Sequence, residues 1–177
     1  TMKGGKMEEK TGIITMKGRP LTIIGQEIRL ENLAPDIELI DNDLSPVRLL
    51  TYKGKICVIV TVPSLDTSVC DLETRRFNQE AADLGDDVRI LAVSMDLPFA
   101  QKRWCGAAGV DKVITLSDHR EASLGLAFGV LIKELRLLAR AVFILDRDGI
   151  VRYIQIVKEV GNEPDYDAVL KAVRNLI

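Results

Sequence analysis

The amino-acid sequence predicts an α/β domain built on a central mixed β-sheet flanked by helices, with a small β-hairpin near the N-terminus. Three observations carry this expectation. The runs Ile56–Val62 (ICVIVTV), Asp87–Ser94 (DVRILAVS) and Ala141–Asp146 (AVFILD) are apolar and β-branched with little alternation, the mark of strands buried on both faces. Helical patterns fall between these runs, and a hairpin followed by a last helix completes the chain. At 177 residues, 47% of them hydrophobic, the chain can bury one substantial core and is short for two.

The first 11 residues are polar and mixed in charge and read as a flexible lead-in; residues 12–177 read as a single domain. Gly12–Lys17 and Leu21–Gly25 flank Gly18-Arg19-Pro20 and predict the hairpin. Leu44–Leu50 reads as a short strand ended by the turn at Lys53-Gly54. After the strand Ile56–Val62, a helix beginning near Cys70 aligns Phe77, Ala81 and Leu84 on one face. Pro98 suits the first turn of a helix over Phe99–Ala108, and Val113–Leu116 is a shorter buried strand. Asp118 and Glu121 resemble a capping box ahead of a helix over Ala122–Phe128. The turn Asp148-Gly149 pairs Ala141–Asp146 with Val151–Val157. Pro164 opens a final helix whose stripe is Tyr166, Val169, Leu170, Val173 and Ile177. The order of elements is thioredoxin-like.

Composition excludes several functions. Twenty-four basic residues against 26 acidic ones leave a net charge of −2, so nothing favours nucleic acid or an anionic membrane surface. The longest apolar stretch falls far short of the ~20 residues of a membrane span, and the N-terminus lacks the apolar run of a secretory signal. A cytoplasmic protein is expected. Three cysteines, Cys57, Cys70 and Cys105, are too few for a disulfide scaffold, and with a single histidine, His119, they make no zinc pattern.

The chemistry concentrates in Val62–Asp71 (VPSLDTSVCD), which joins a buried strand to a helix and places Cys70 in or beside the first helical turn. Unpaired N–H groups and the helix dipole act there on any anion, and a thiol so placed ionises more readily. Thr67, three residues earlier, can cap the helix or direct its hydroxyl toward the sulfur. Read alone, T-x-x-C favours a packing cysteine behind a plain cap; Pro63 and the strand–loop–helix setting bring the two readings level.

PSLDTSVCD contains P-x-x-x-T-x-x-C and resembles the peroxidatic loop of the peroxiredoxins. The segments MKGRPLTIIG, DLPFAQKRWCGAAG, VITLSDHR, ARAVFILD and EPDYDAVL are similar to those of the thiol peroxidase branch, the atypical two-cysteine peroxiredoxins. The resemblance runs in order over about residues 12–177. It implies that Cys70 is the peroxidatic cysteine and Cys105 the resolving cysteine. Thr67 becomes the hydroxyl partner, Arg140 the cationic partner, and Pro63 a shield against water. It further implies hydroperoxide substrates, no cofactor or metal, regeneration by thioredoxin or a similar dithiol protein, and a homodimer. Trp104 stands where the family has Phe, and Leu131–Leu138 (LIKELRLL) departs from the glycine- and proline-containing loop of the family.

An acidic thiol alone would not suffice. A thiol of ordinary acidity is about 3% ionised at pH 7, so full ionisation gains at most ~30-fold, or about 2 kcal/mol. Donors must also meet the charge that moves onto the departing oxygen, and Arg140 offers a planar fork for that purpose. Cys105 falls within an expected helix, and a disulfide needs Cα atoms about 4.4–6.8 Å apart. Local unwinding around both cysteines is therefore expected, with Trp104 as its reporter. Cys57 is expected to be an inert core thiol, while Asp66 and Glu73 are expected to be solvated. Two other readings remain: a cysteine hydrolase pairing Cys70 with His119, and a non-catalytic binding module. A general disulfide oxidoreductase is disfavoured because C-x-x-C is absent.

Overall fold

The computed structural model describes residues 7–177. Strands β1 (Glu8–Met16) and β2 (Arg19–Gly25) form the expected hairpin, with a bulge between Thr11 and Ile14 where Gly12 adopts a positive φ. The strand starts at Glu8, which pairs with Gly25, so Glu8–Thr11 are ordered and not part of a flexible lead-in. The physical reason is the ladder: their amides and carbonyls face β2 in register. Residues 1–6 of that expected lead-in lie outside the described residues.

Next come β3 (Glu38–Ile40), β4 (Pro46–Arg48) and a single 3-10 turn, Leu49–Tyr52. The alternating core follows: β5 (Ile56–Thr61), α1 (Ser68–Leu84), β6 (Val88–Ser94), α2 (Pro98–Ala108) and β7 (Val113–Ser117). The chain ends with α3 (Ser123–Ala127), β8 (Leu131–Ile132), β9 (Leu137–Leu138), β10 (Ala141–Leu145), β11 (Val151–Ile156) and α4 (Tyr166–Arg174). No described helix is long and apolar enough to cross a membrane.

The main sheet has seven strands in the order β11-β10-β5-β6-β7-β3-β4. β5, β6 and β7 are mutually parallel; β10, β11, β3 and β4 run antiparallel to their neighbours, which makes the sheet mixed. A second sheet, β1-β2-β8-β9, covers one face. The central strands alternate between two cores. Cys57 and Ile59 of β5 face the small sheet and α3, whereas Ile56, Val58 and Val60 face α1, α2 and α4.

Three local expectations are corrected. Leu44–Leu50 is not one strand, because buried Leu49 belongs to the 3-10 turn and only Pro46–Arg48 pairs with β3. Leu131–Leu138, for which the sequence predicts no conformation, forms two short strands, β8 on β2 and β9 on β8, joined through Arg136 at φ 51°, and its Leu131, Ile132 and Leu138 are core residues. The helix expected over Ala122–Phe128 is shorter. Asp118 does cap it, accepting from Leu124 N and Gly125 N, but Glu121 is exposed and the capping box is not formed. Ile177 lies beyond α4 and is exposed, because the helix ends at Arg174.

Candidate active site

The sheet register assembles the site. Antiparallel pairing of β10 with β5 sets Ala141 opposite Thr61, whose hydroxyl donates to the Ala139 carbonyl at 2.7 Å. Arg140 therefore stands beside the loop that leaves the C-terminal end of β5. That loop begins with Val62 and Pro63, both buried, and enters α1 at its N-cap, Thr67. The Thr67 hydroxyl accepts from Cys70 N at 3.4 Å and donates to the Ser64 carbonyl at 3.0 Å. Cys70 is thus in the first turn of α1, its side chain fully buried.

Arg140 is the largest fully buried side chain, although its charge would ordinarily keep it at the surface. Its three donor nitrogens are each matched. Nη2 donates to Cys70 Sγ at 3.1 Å, Nη1 donates to Glu73 Oε2, and Nε donates to the Val160 carbonyl at 3.1 Å. Burial works against the guanidinium charge, but Glu73 and Cys70 outweigh it and hold Arg140 above its ordinary pKa. Burial pushes the Glu73 carboxyl up, opposed by the Arg140 charge and hydrogen bond.

Glu73 corrects the expectation of a solvated carboxylate: it is completely buried and ion-paired with Arg140. The signal was its phase, since Cys70, Glu73, Thr74 and Phe77 share the inward face of α1 at helical spacing. Asp66 is exposed, as expected. A second unexpected residue is Asp96, which holds the loop in place. Its carboxylate accepts from Ser64 Oγ at 2.7 Å and Leu65 N at 2.8 Å, and from Ser94 Oγ at 2.7 Å.

The other thiols are placed apart. Cys57 lies on the opposite face of the sheet from Cys70, and burial pushes its thiol up to about 12. Cys105 is half-buried on α2, with Sγ 3.4 Å from Thr115 Oγ1 on β7. The adjacent Trp104 points the other way, donating from Nε1 to Asp71 on α1 at 2.8 Å. His119 follows β7, and among the described residues no hydrogen bond joins it to Cys70. All three cysteines are free thiols.

A buried thiol at a helix start, held by a guanidinium beyond a β5–loop–α1 crossover, defines a thioredoxin-fold thiol-redox protein. A family profile described as Redoxin matches residues 29–170. The thiol peroxidase of Bacillus subtilis is 54% identical over 164 residues, covering 93% of this chain and 98% of the relative. That of Staphylococcus aureus strain MRSA252 is 53% identical over 163 residues, covering 92% and 98%. The crystal structure of a peroxiredoxin-like protein from Aquifex aeolicus superposes with a TM-score of 0.88 at 42% identity, covering 98% of this chain and all of that one. The chain belongs to the thiol peroxidase family.

Proposed function

We propose that this thiol-dependent peroxidase reduces hydrogen peroxide and organic hydroperoxides through Cys70. The thiolate of Cys70 attacks one peroxide oxygen; an S–O bond forms and the O–O bond breaks. The departing oxygen takes up a proton and leaves as water or an alcohol, and Cys70 becomes a sulfenic acid. Arg140 holds the sulfur from one side and meets the developing oxyanion with the same fork. Glu73 and the Val160 carbonyl position that fork. The Thr67 hydroxyl, on turning from the Ser64 carbonyl, and the first N–H groups of α1 supply further donors, and Pro63 closes the base of the loop against water.

Cys70 is fully buried, so peroxide enters as the exposed Asp66–Ser68 segment moves aside. Cys105 then attacks the sulfenic sulfur; an S–S bond forms, the S–O bond breaks, and water leaves. A dithiol protein such as thioredoxin returns both cysteines to thiols by exchange, supplying two electrons. We further assign residues 8–177 to one domain, active as a cytoplasmic homodimer.

The single observation that carries this reading is Arg140 Nη2 at 3.1 Å from the Cys70 sulfur at the start of α1. The test is peroxide consumption with thioredoxin and its reductase as the electron source. Cys70→Ser should abolish turnover and Cys57→Ser should retain it; turnover persisting in Cys70→Ser overturns the proposal.

A further inference from the structure

Cys105 sits in a small polar relay that the chemistry above does not use. Thr115 Oγ1 donates to Asn42 Oδ1 at 3.1 Å, and an amide oxygen can only accept. The Thr115 hydroxyl hydrogen is thereby committed, so the 3.4 Å contact with Cys105 Sγ has the thiol S–H donating to Thr115 Oγ1. The relay anchors the sulfur over β7, two strands from β5, which feeds the Cys70 loop. Cys70 and Cys105 stand on separate helices, α1 and α2, and both are free thiols.

We propose that Thr115 and Asn42 are a latch that keeps Cys105 docked on β7 and so holds it back from the oxidised Cys70. This rests on the reading of Cys105 as the resolving thiol. Resolution then needs release of the latch and unwinding of the end of α2. The segment is suited to opening: Gly106, Ala107 and Gly109 are exposed, and beyond Trp104 the end of α2 is joined to α1 by Arg75 donating to the Ala108 carbonyl at 3.0 Å. Thr115 and Asn42 are positioning residues, because they touch neither peroxide nor Cys70. By holding Cys105 back they set how long the sulfenic acid stays exposed to a second peroxide, which would carry it to sulfinic acid.

Thr115→Val keeps the shape of the side chain and removes the acceptor. In the full chain, after one equivalent of hydrogen peroxide, it should form the Cys70–Cys105 disulfide about fivefold faster, the rate equivalent of one net hydrogen bond. With excess peroxide it should accumulate less Cys70 sulfinic acid, while the first loss of Cys70 thiol keeps its rate. Thr115→Ser should restore both values. Asn42→Ala, at a half-buried position, should move them in the same direction as Thr115→Val. A wild-type disulfide rate in both Thr115→Val and Asn42→Ala overturns the latch alone. A wild-type disulfide that joins Cys70 to a thiol other than Cys105 overturns the resolving role and the latch with it.

Discussion

Replacing Arg140 by Lys separates geometry from charge. The cation is retained, so charge alone predicts no loss. The structure predicts a large one, because three acceptors lie in three directions around a planar group: Cys70 Sγ at 3.1 Å, the Val160 carbonyl at 3.1 Å, and Glu73 Oε2. A single ammonium nitrogen on a flexible stem cannot meet all three, and pairing with Glu73 draws it from the sulfur. A hydrogen bond to a charged group is worth about 1.5–3 kcal/mol, and each ~1.4 kcal/mol is tenfold in rate. Arg140→Lys should therefore lower the second-order rate of Cys70 oxidation by hydrogen peroxide about 10- to 150-fold. Quenched-flow alkylation with mass readout at Cys70 measures it, alongside urea unfolding to confirm that the variant is folded. A rate within threefold of wild type would refute the reasoning.

Three further outcomes follow from the same structure. Glu73→Ala leaves the buried Arg140 cation without its carboxylate and should cost about 3–5 kcal/mol in urea unfolding, and Glu73→Gln clearly less; equal, small effects would contradict the buried pair. Burial raises the Asp118 carboxyl to about 6, against backbone hydrogen bonds from Gly125 and Leu124. Its folded pKa exceeds the unfolded one, so the stability it contributes is complete below about pH 4 and is lost as pH rises through about 6. The unfolding free energy of wild type relative to Asp118→Asn should fall by up to about 3 kcal/mol over that window, and a flat difference would exclude the effect. His119→Ala should leave peroxidase turnover intact, whereas a hydrolase built on Cys70 and His119 would lose its activity.

The fold was legible wherever burial is uniform. ICVIVTV, DVRILAVS and AVFILD announce central strands because both faces of the sheet are covered, and Thr67 marks the start of α1. Short edge elements were not legible: β3 has three residues, and LIKELRLL becomes two strands only because β2 offers an unpaired edge. Cys70, Thr67, Pro63 and Arg140 emerged from a local motif and a resemblance. What joins Arg140 to Cys70 is the β10–β5 register, a contact across 70 positions that no local pattern displays. Glu73 was misread because a carboxylate is ordinarily solvated, and the arginine that pays for its burial lies far along the chain. Asp96 was missed for a similar reason, since its partners lie about 30 positions away.

The central claim is that Cys70 meets the peroxide and Cys105 resolves it. Mass mapping of the reduced full chain after one equivalent of hydrogen peroxide tests this most directly. The account predicts a Cys70–Cys105 link within one chain and Cys57 still a free thiol. Oxidation of Cys57 or Cys105 while Cys70 remains reduced would contradict it.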